Sequence, residues 1–331
     1  MHEEQEQQQK KKRFKLFDSQ REGKGITKEQ ANLPPNLKKF FILYRRDFSR
    51  LLSVNMLFVL GNFPVFFLLY ALSGFASLDF ATPALGIYPA FSGVLTHTGI
   101  TPLNLVINGT IGAQVSASLY TPFAYVCFGL ALLTFFTFGL VNVGTAYVLR
   151  NMVKGDPVFV WSDFWYAVKR NFKQGFFFGM VDLLILSLLP FNILHYSANT
   201  GFWNGVLFWL TIIAGIIYLV MRRYIYIQMV TFELKILKIL KNALILAILG
   251  FKRNVLAFLG ILLLCTLTIL CAYSGVLLSL AIALPLVILF SNGAYMTTYA
   301  AYFKIKEMMI DPYYSEHESS ANEPAPEAED A

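Results

Sequence analysis

The sequence predicts an all-α fold: a polytopic membrane helix bundle of about six transmembrane helices, with amphipathic cytoplasmic helices between spans 2 and 3 and between spans 4 and 5. Two observations predict it. Apolar residues make up 56% of the 331 residues and charged residues only 14%, against about 25% charged in a typical soluble domain. The charges are also bunched, and no Asp, Glu, Lys or Arg occurs over the 50 residues from Asn254 to Phe303. As one helix that run would be roughly 75 Å long, while a bilayer core is about 30 Å thick, so it must fold back. Tyr273-Ser274-Gly275 is the natural turn. With 31 Phe and so little charge to cover them, the solvent has to be lipid.

Spans are predicted at about 51–72, 122–145, 175–194, 204–224, 255–273 and 276–302. Their orientation follows from Lys and Arg. Of 27 such residues, the leader 1–50 carries 13, segment 149–174 carries five, segment 222–253 carries seven and the end beyond 303 carries two. The intervening loops 73–121, 195–203 and 273–275 carry none. This sorting places both termini in the cytoplasm.

Three regions are expected: a disordered basic cytoplasmic leader (1–36), a six-helix transmembrane domain (37–303) with an outer loop at 73–121, and an acidic, disordered cytoplasmic tail (304–331). Lys10-Lys11-Lys12-Arg13-Phe14-Lys15 suits anionic lipid headgroups, at about 1 kcal/mol per charge near the surface. Residues 37–50 read as an interfacial helix leading into the first span. After Asp156-Pro157, a plausible helix start, Trp161, Phe164, Trp165, Val168 and Phe172 fall on one face, with Asp163, Tyr166, Lys169, Arg170 and Lys173 over much of the rest. In 231–249, Phe232, Ile236, Leu240, Ala243 and Ala247 run down one side. Such helices rest on headgroups or dock a cytoplasmic partner.

Thr137-Phe138-Gly139, Ala146-Tyr147-Val148 and Val153-Lys154-Gly155-Asp156, followed by Asp163-Phe164-Trp165, Lys169-Arg170-Asn171-Phe172-Lys173-Gln174 and Lys241-Asn242-Ala243-Leu244, resemble the YesL-like family of bacterial integral membrane proteins, a domain-of-unknown-function family. The resemblance covers roughly residues 40–303. The chain departs from it in having Leu140 where a Pro is usual, a longer first outer loop and a longer leader. Family members are often found beside carbohydrate-uptake and glycan-degradation genes. The resemblance therefore implies a bacterial plasma membrane and a link to sugar uptake, and supplies no activity.

The motifs that would make an enzyme are missing. There is no His-Glu-x-x-His, no phosphate-binding glycine loop and no Gly-x-Ser-x-Gly. The four histidines and three cysteines are scattered, which implies neither a metal site nor a disulfide framework. The expected function is a non-enzymatic accessory protein linked to bacterial carbohydrate uptake, without cofactor. Its expected partners are anionic lipid headgroups and carbohydrate ABC importer subunits, and no nucleic acid. The alternative is a small secondary transporter with a polar path through the bundle. Asp163, Phe164, Trp165, Lys169, Arg170, Asn171 and Phe172 form the candidate docking or interfacial helix.

Gly175-x-x-x-Gly179 and Gly201-x-x-x-Gly205 open the third and fourth spans with spacing that permits close helix approach within one bundle. Asp182 is the one charge in the interior of a predicted span. An aspartate there costs about 2.5–3.5 kcal/mol on insertion scales and usually finds a partner. Asn62, Asn142, Asn292, Arg222 and Arg223 are the candidates, and Asp182 with Asn142 and Asn292 forms the candidate intramembrane polar site.

The orientation predicts a labelling pattern. In a background without the native cysteines, single cysteines at Ala90 and Asn199 should react with an impermeant maleimide in intact cells, and those at Gln20, Val160 and Ser320 should not. Labelling at residue 160 from outside would sink the topology.

Overall fold

The computed structural model describes residues 33–73, 78–81, 114–117, 121–274 and 276–314. The basic cluster at 10–15, most of the outer loop 73–121 and the tail beyond Tyr314 lie outside the described residues. The chain divides into two compact units: Met1–Gly61 with Thr137–Ala331, and Asn62–Phe136.

Helices dominate. They are α1 Leu37–Gly61, α2 Pro64–Leu72, α3 Pro122–Ala131, α4 Thr134–Lys154, α5 Val160–Arg170, α6 Phe172–Ala198, α7 Phe202–Thr231, α8 Ile236–Leu249, α9 Phe251–Tyr273, α10 Leu278–Leu284 and α11 Phe290–Ile305. Five helical stretches are long and apolar enough to cross a membrane: Pro122–Lys154, Phe172–Ala198, Phe202–Thr231, Phe251–Tyr273 and Leu278–Tyr314. Leu37–Gly61 with Pro64–Leu72, broken at Asn62-Phe63, makes a sixth if counted as one span. The protein is thus a membrane helix bundle with short helices at α5 and α8 between the longer ones.

In the unit Asn62–Phe136, α2 and α3 pack together around a cavity of about 330 Å³ lined by Phe66, Tyr70, Phe123 and Cys127. Thr121 caps α3, its Oγ accepting from the Ala124 N–H at 3.3 Å, and Pro122 occupies the first turn, where its missing N–H costs nothing. Within the outer loop, Leu78–Ala81 pairs antiparallel with Gln114–Ala117. The sequence reading placed no strand there.

In the larger unit one face of each segment expected to lie on headgroups is packed against protein. Segment 37–50 is continuous with the first span, and its Lys39, Leu43, Asp47, Leu51 and Asn55 form a buried stripe at helical spacing. Phe40 and Tyr44 stack against Tyr295, and Phe40 meets Tyr299 edge-on, so α11 covers this face. In α8 the buried stripe is Ile239, Ala243, Leu246 and Ala247. It lies slightly around the helix from the expected Ile236–Leu240 line, because the chain is not helical at 232–235 and α8 begins only at Ile236.

The two Gly-x-x-x-Gly spacings behave differently. A Cβ added at Gly139 or Gly179 would land inside the other's backbone, and one at Gly139 would also strike Gly175. Here α4 and α6 touch backbone to backbone, as small residues allow in lipid, where dispersion rather than the hydrophobic effect holds helices together. At Gly205 an added Cβ would meet open space, so the second spacing makes no helix contact. Gly201 is there for its φ of +134°, which an L side chain rarely adopts.

Pro285 removes a backbone donor and clashes with the preceding turn. The helix accommodates it by widening to a π-turn over Pro285–Leu289, as such interruptions commonly do. Asn55 of α1 repairs the ladder from the side. Its Nδ2 donates to the carbonyls of Pro285 and Leu286, both at 2.9 Å, and its Oδ1 accepts from the Ser291 N–H at 2.9 Å.

Replacing Gly179 with Leu should therefore lower the melting temperature by several degrees and the monodisperse yield in detergent, because overpacking costs about 1–3 kcal/mol or more. Gly205→Ala should change stability by less than about 0.5 kcal/mol. Equal losses in the two variants would contradict the α4–α6 crossing.

Candidate functional site

Asp182 is fully buried. It lies ten residues into α6, about 15 Å from the helix start at Phe172. Opposite it, α7 presents Tyr218, Arg222 and Tyr226 at a spacing of four, which puts all three on one stripe. The Arg222 Nε donates to both carboxylate oxygens, at 2.8 and 2.7 Å. The hydroxyl of Tyr218 donates to Oδ1 at 2.7 Å, and that of Tyr226 to Oδ2 at 2.6 Å. Phe138 and Tyr226 flank the guanidinium with their rings, 5.2 and 5.3 Å from its carbon. Every lone pair that a carboxylate directs outward has a donor here, and the positive charge is held by aromatic faces.

The other two members of the expected polar site lie elsewhere. The Asn142 Nδ2 donates to its own helix at Phe138 O, 2.8 Å away, and the Asn292 Oδ1 accepts from the Tyr44 hydroxyl at 3.2 Å, on the α1–α11 face. The trio Asp182, Asn142 and Asn292 is therefore corrected to a cluster of Asp182, Tyr218, Arg222 and Tyr226. Side-chain amides extending four bonds from the backbone satisfy their own or an adjacent helix before they reach a third. The tyrosines were missed, although Tyr218-x-x-x-Arg222-x-x-x-Tyr226 is visible as an i, i+4, i+8 stripe. Ending the fourth span near residue 224 hid it, whereas α7 runs on to Thr231.

At the charged end of the bundle, arginines cap the helices whose last carbonyls have no intrahelical donor. Arg46 donates to Met152 O and Gly155 O, at 2.9 and 3.1 Å, while its Nε and Nη2 hold the buried Asp47. Arg50 completes that carboxylate at 2.8 Å. Arg150 donates to Val230 O at 2.7 Å and to the Thr231 hydroxyl at 3.2 Å, closing α7. Cations belong at these positions because the helix dipole leaves partial negative charge there.

The candidate docking helix α5 has two distinct faces. Phe164, Ala167 and Val168 are buried, and Phe164 lies flat on Gly144, where no Cβ would fit. Trp161, Trp165 and Phe172 are 59%, 44% and 51% exposed. Asp163 accepts the Phe159 N–H at 3.0 Å, anchoring the first turn. Burial pushes its carboxyl above the usual range, opposed by that hydrogen bond and by the charges of Arg150 and Arg50. Lys169 and Arg170 end the helix exposed. Asn171, its C-cap, donates from Nδ2 to Ala167 O at 3.1 Å. Among the described residues, no group of three or more His, Cys, Asp and Glu side chains is placed to hold a metal ion.

Residues 119–193 match the model of a family described as a protein of unknown function, DUF624. That stretch contains α5, the Gly139–Gly179 crossing and Asp182. No curated protein and no solved structure matches the chain.

Breaking one partner of a buried ion pair costs about 3–5 kcal/mol, because the other charge is left uncompensated. Asp182→Asn and Arg222→Met should each lose about that much in equilibrium unfolding in mixed micelles. The double variant should lose clearly less than the sum. Additive losses would show that the two groups are not coupled.

Proposed function

We propose that the chain is a YesL-like accessory protein of the bacterial plasma membrane, non-enzymatic, with both termini in the cytoplasm. In this reading it serves carbohydrate uptake by docking a subunit of an ABC importer at its charged end. The observation that carries the proposal is the division of α5. One face is anchored on Gly144 through Phe164, while Trp161, Trp165, Tyr166, Lys169 and Arg170 are presented outward. A rigid amphipathic face with exposed aromatics and arginine has the composition of an interface anchor.

The interior of the bundle supports this reading over transport. Asp182 is engaged by four hydrogen bonds, and the break at Pro285 is closed by Asn55. At these two places the polar groups are engaged by one another rather than by a passing substrate. The segregation of Lys and Arg supports the orientation, and the link to carbohydrate uptake rests on the family resemblance.

Importer subunits should copurify with the full chain from solubilised membranes. The Lys169→Glu/Arg170→Glu variant should lose at least about fivefold of that capture, since opposed charge at a rim discriminates strongly against a partner, at unchanged membrane abundance. Undiminished capture by the charge-reversed variant would exclude α5 as the docking face, and sugar flux into liposomes containing this chain alone would exclude the accessory role.

A further inference from the structure

The α5–α6 and α7–α8 junctions face each other across a cleft of about 590 Å³. One wall is residues 169–174 and the other residues 229–235. Two bonds hold the walls at a fixed separation. Gln174 donates from Nε2 to Leu234 O at 3.1 Å, and Arg170 pairs with Glu233 at 3.0 Å. The rim is cationic: Lys169, Lys173 and Lys235 are exposed and form no ion pair among the described residues. Glu233 is the single acid lining the cleft, and Arg170 already balances it. Hydrogen bonds that the Arg170 guanidinium donates to Tyr166 and Glu233 hold it even further above the usual range, so it is cationic at any physiological pH. Between the rim residues the half-buried Phe232 and Leu234 form an apolar floor, beneath which Met229 and Val230 are buried.

A cationic rim over an apolar floor is complementary to a molecule that is anionic at one end and greasy at the other. The walls belong to the ends of two membrane-length helices, α6 and α7, so the cleft opens where headgroups lie. Exposed Phe172 lines it, in the manner of the aromatic residues that mark the membrane–water boundary. The start of α6 adds to the field, because the Asn171 side chain turns back to α5 and leaves the first turn without a side-chain cap. We propose that this cleft binds the phosphate headgroup of an anionic phospholipid from the adjoining leaflet. Lys169, Lys173 and Lys235 hold the phosphate, and the glycerol and first methylenes lie along Phe232 and Leu234. The occupant is a bilayer lipid rather than a soluble phosphate, since a soluble anion gains nothing from the apolar floor. The site shares Lys169 and Arg170 with the outward face of α5, but its test reads lipid retention and not capture of a protein partner.

Native mass spectrometry of the full chain in detergent tests this. Phosphatidylglycerol should be retained as a discrete adduct at least about tenfold more than phosphatidylcholine. The Lys169→Gln/Lys173→Gln/Lys235→Gln variant should lose that preference, while Lys238→Gln/Lys241→Gln/Lys252→Gln, with the same change in charge, should keep it. Millimolar inorganic phosphate and glycerol phosphate should not displace the lipid. Equal retention of the two lipids by the unaltered chain overturns the site, as does equal loss in the two triple variants. Displacement by inorganic phosphate overturns the assignment to lipid.

Discussion

In lipid a buried carboxylate has no water to turn to, and the remainder of the fold is arranged around the answer to that problem. Asp182 is stable in the bundle because α7 brings Tyr218, Arg222 and Tyr226 to it on a single stripe. The depths agree. Asp182 lies about 15 Å from the start of α6 and Arg222 nine residues, about 14 Å, from the end of α7. Antiparallel neighbours with their charges at equal depth can meet only in one register. A slip of α6 by a single turn would move the carboxylate about 5.4 Å from its arginine, leaving two uncompensated charges in a medium of low dielectric. Apolar packing alone would tolerate such a slip far better, because one leucine-rich turn resembles the next. The ion pair therefore acts on specificity more than on stability, consistent with the near-cancellation of Coulomb gain and desolvation cost in buried pairs.

The same constraint explains the ends and breaks of the helices. Each interruption of the backbone ladder is met by a side chain from another element: Asn55 at the Pro285 π-turn, Arg46 at the end of α4, Arg150 at the end of α7. Irregular backbone survives at membrane depth only where protein re-satisfies it. These cross-links also set the order of assembly in space, since α1 closes α4, α4 closes α7 and α1 again supports α11.

That the chain forms a bundle of five to six helices long and apolar enough to span a membrane was legible in the sequence, because this is a property of composition along the chain. The interior faces were not. Hydrophobic periodicity locates the buried side of a helix only when the opposite side meets water. Along α5 the apolar stripe contains residues that face protein, Phe164 and Val168, and residues that do not, Trp161 and Trp165. What distinguishes them is size at the contact: Phe164 is inside because Gly144 makes room for it. Segment 37–50 is ambiguous in the same way, since basic and aromatic residues together suit either a headgroup layer or a cover of tyrosines such as α11 provides for Phe40 and Tyr44. Of the two Gly-x-x-x-Gly spacings, one marks a contact and the other a turn. Sequence spacing cannot tell them apart without the partner Gly139.

Two features at separate depths now fix α6 against α7: the Asp182 cluster within the span, and the Gln174–Leu234 and Arg170–Glu233 bonds at its end. Two points define a line, so the pair moves as one body, and the Gly139–Gly179 contact holds α4 against it. Helix α5 is carried by α4 through Phe164 and joined to α6 at Asn171. The outward aromatic–basic face and the cationic cleft beside it are consequently joined to the helices that the Asp182 cluster and the Gly139–Gly179 contact hold together. Surfaces that recognise other molecules lose less affinity to ordering when they are pre-organised. Here the rigidity originates in groups that lipid would otherwise expel, so the cost of placing a charge in the membrane and the precision of the face outside it have one structural cause.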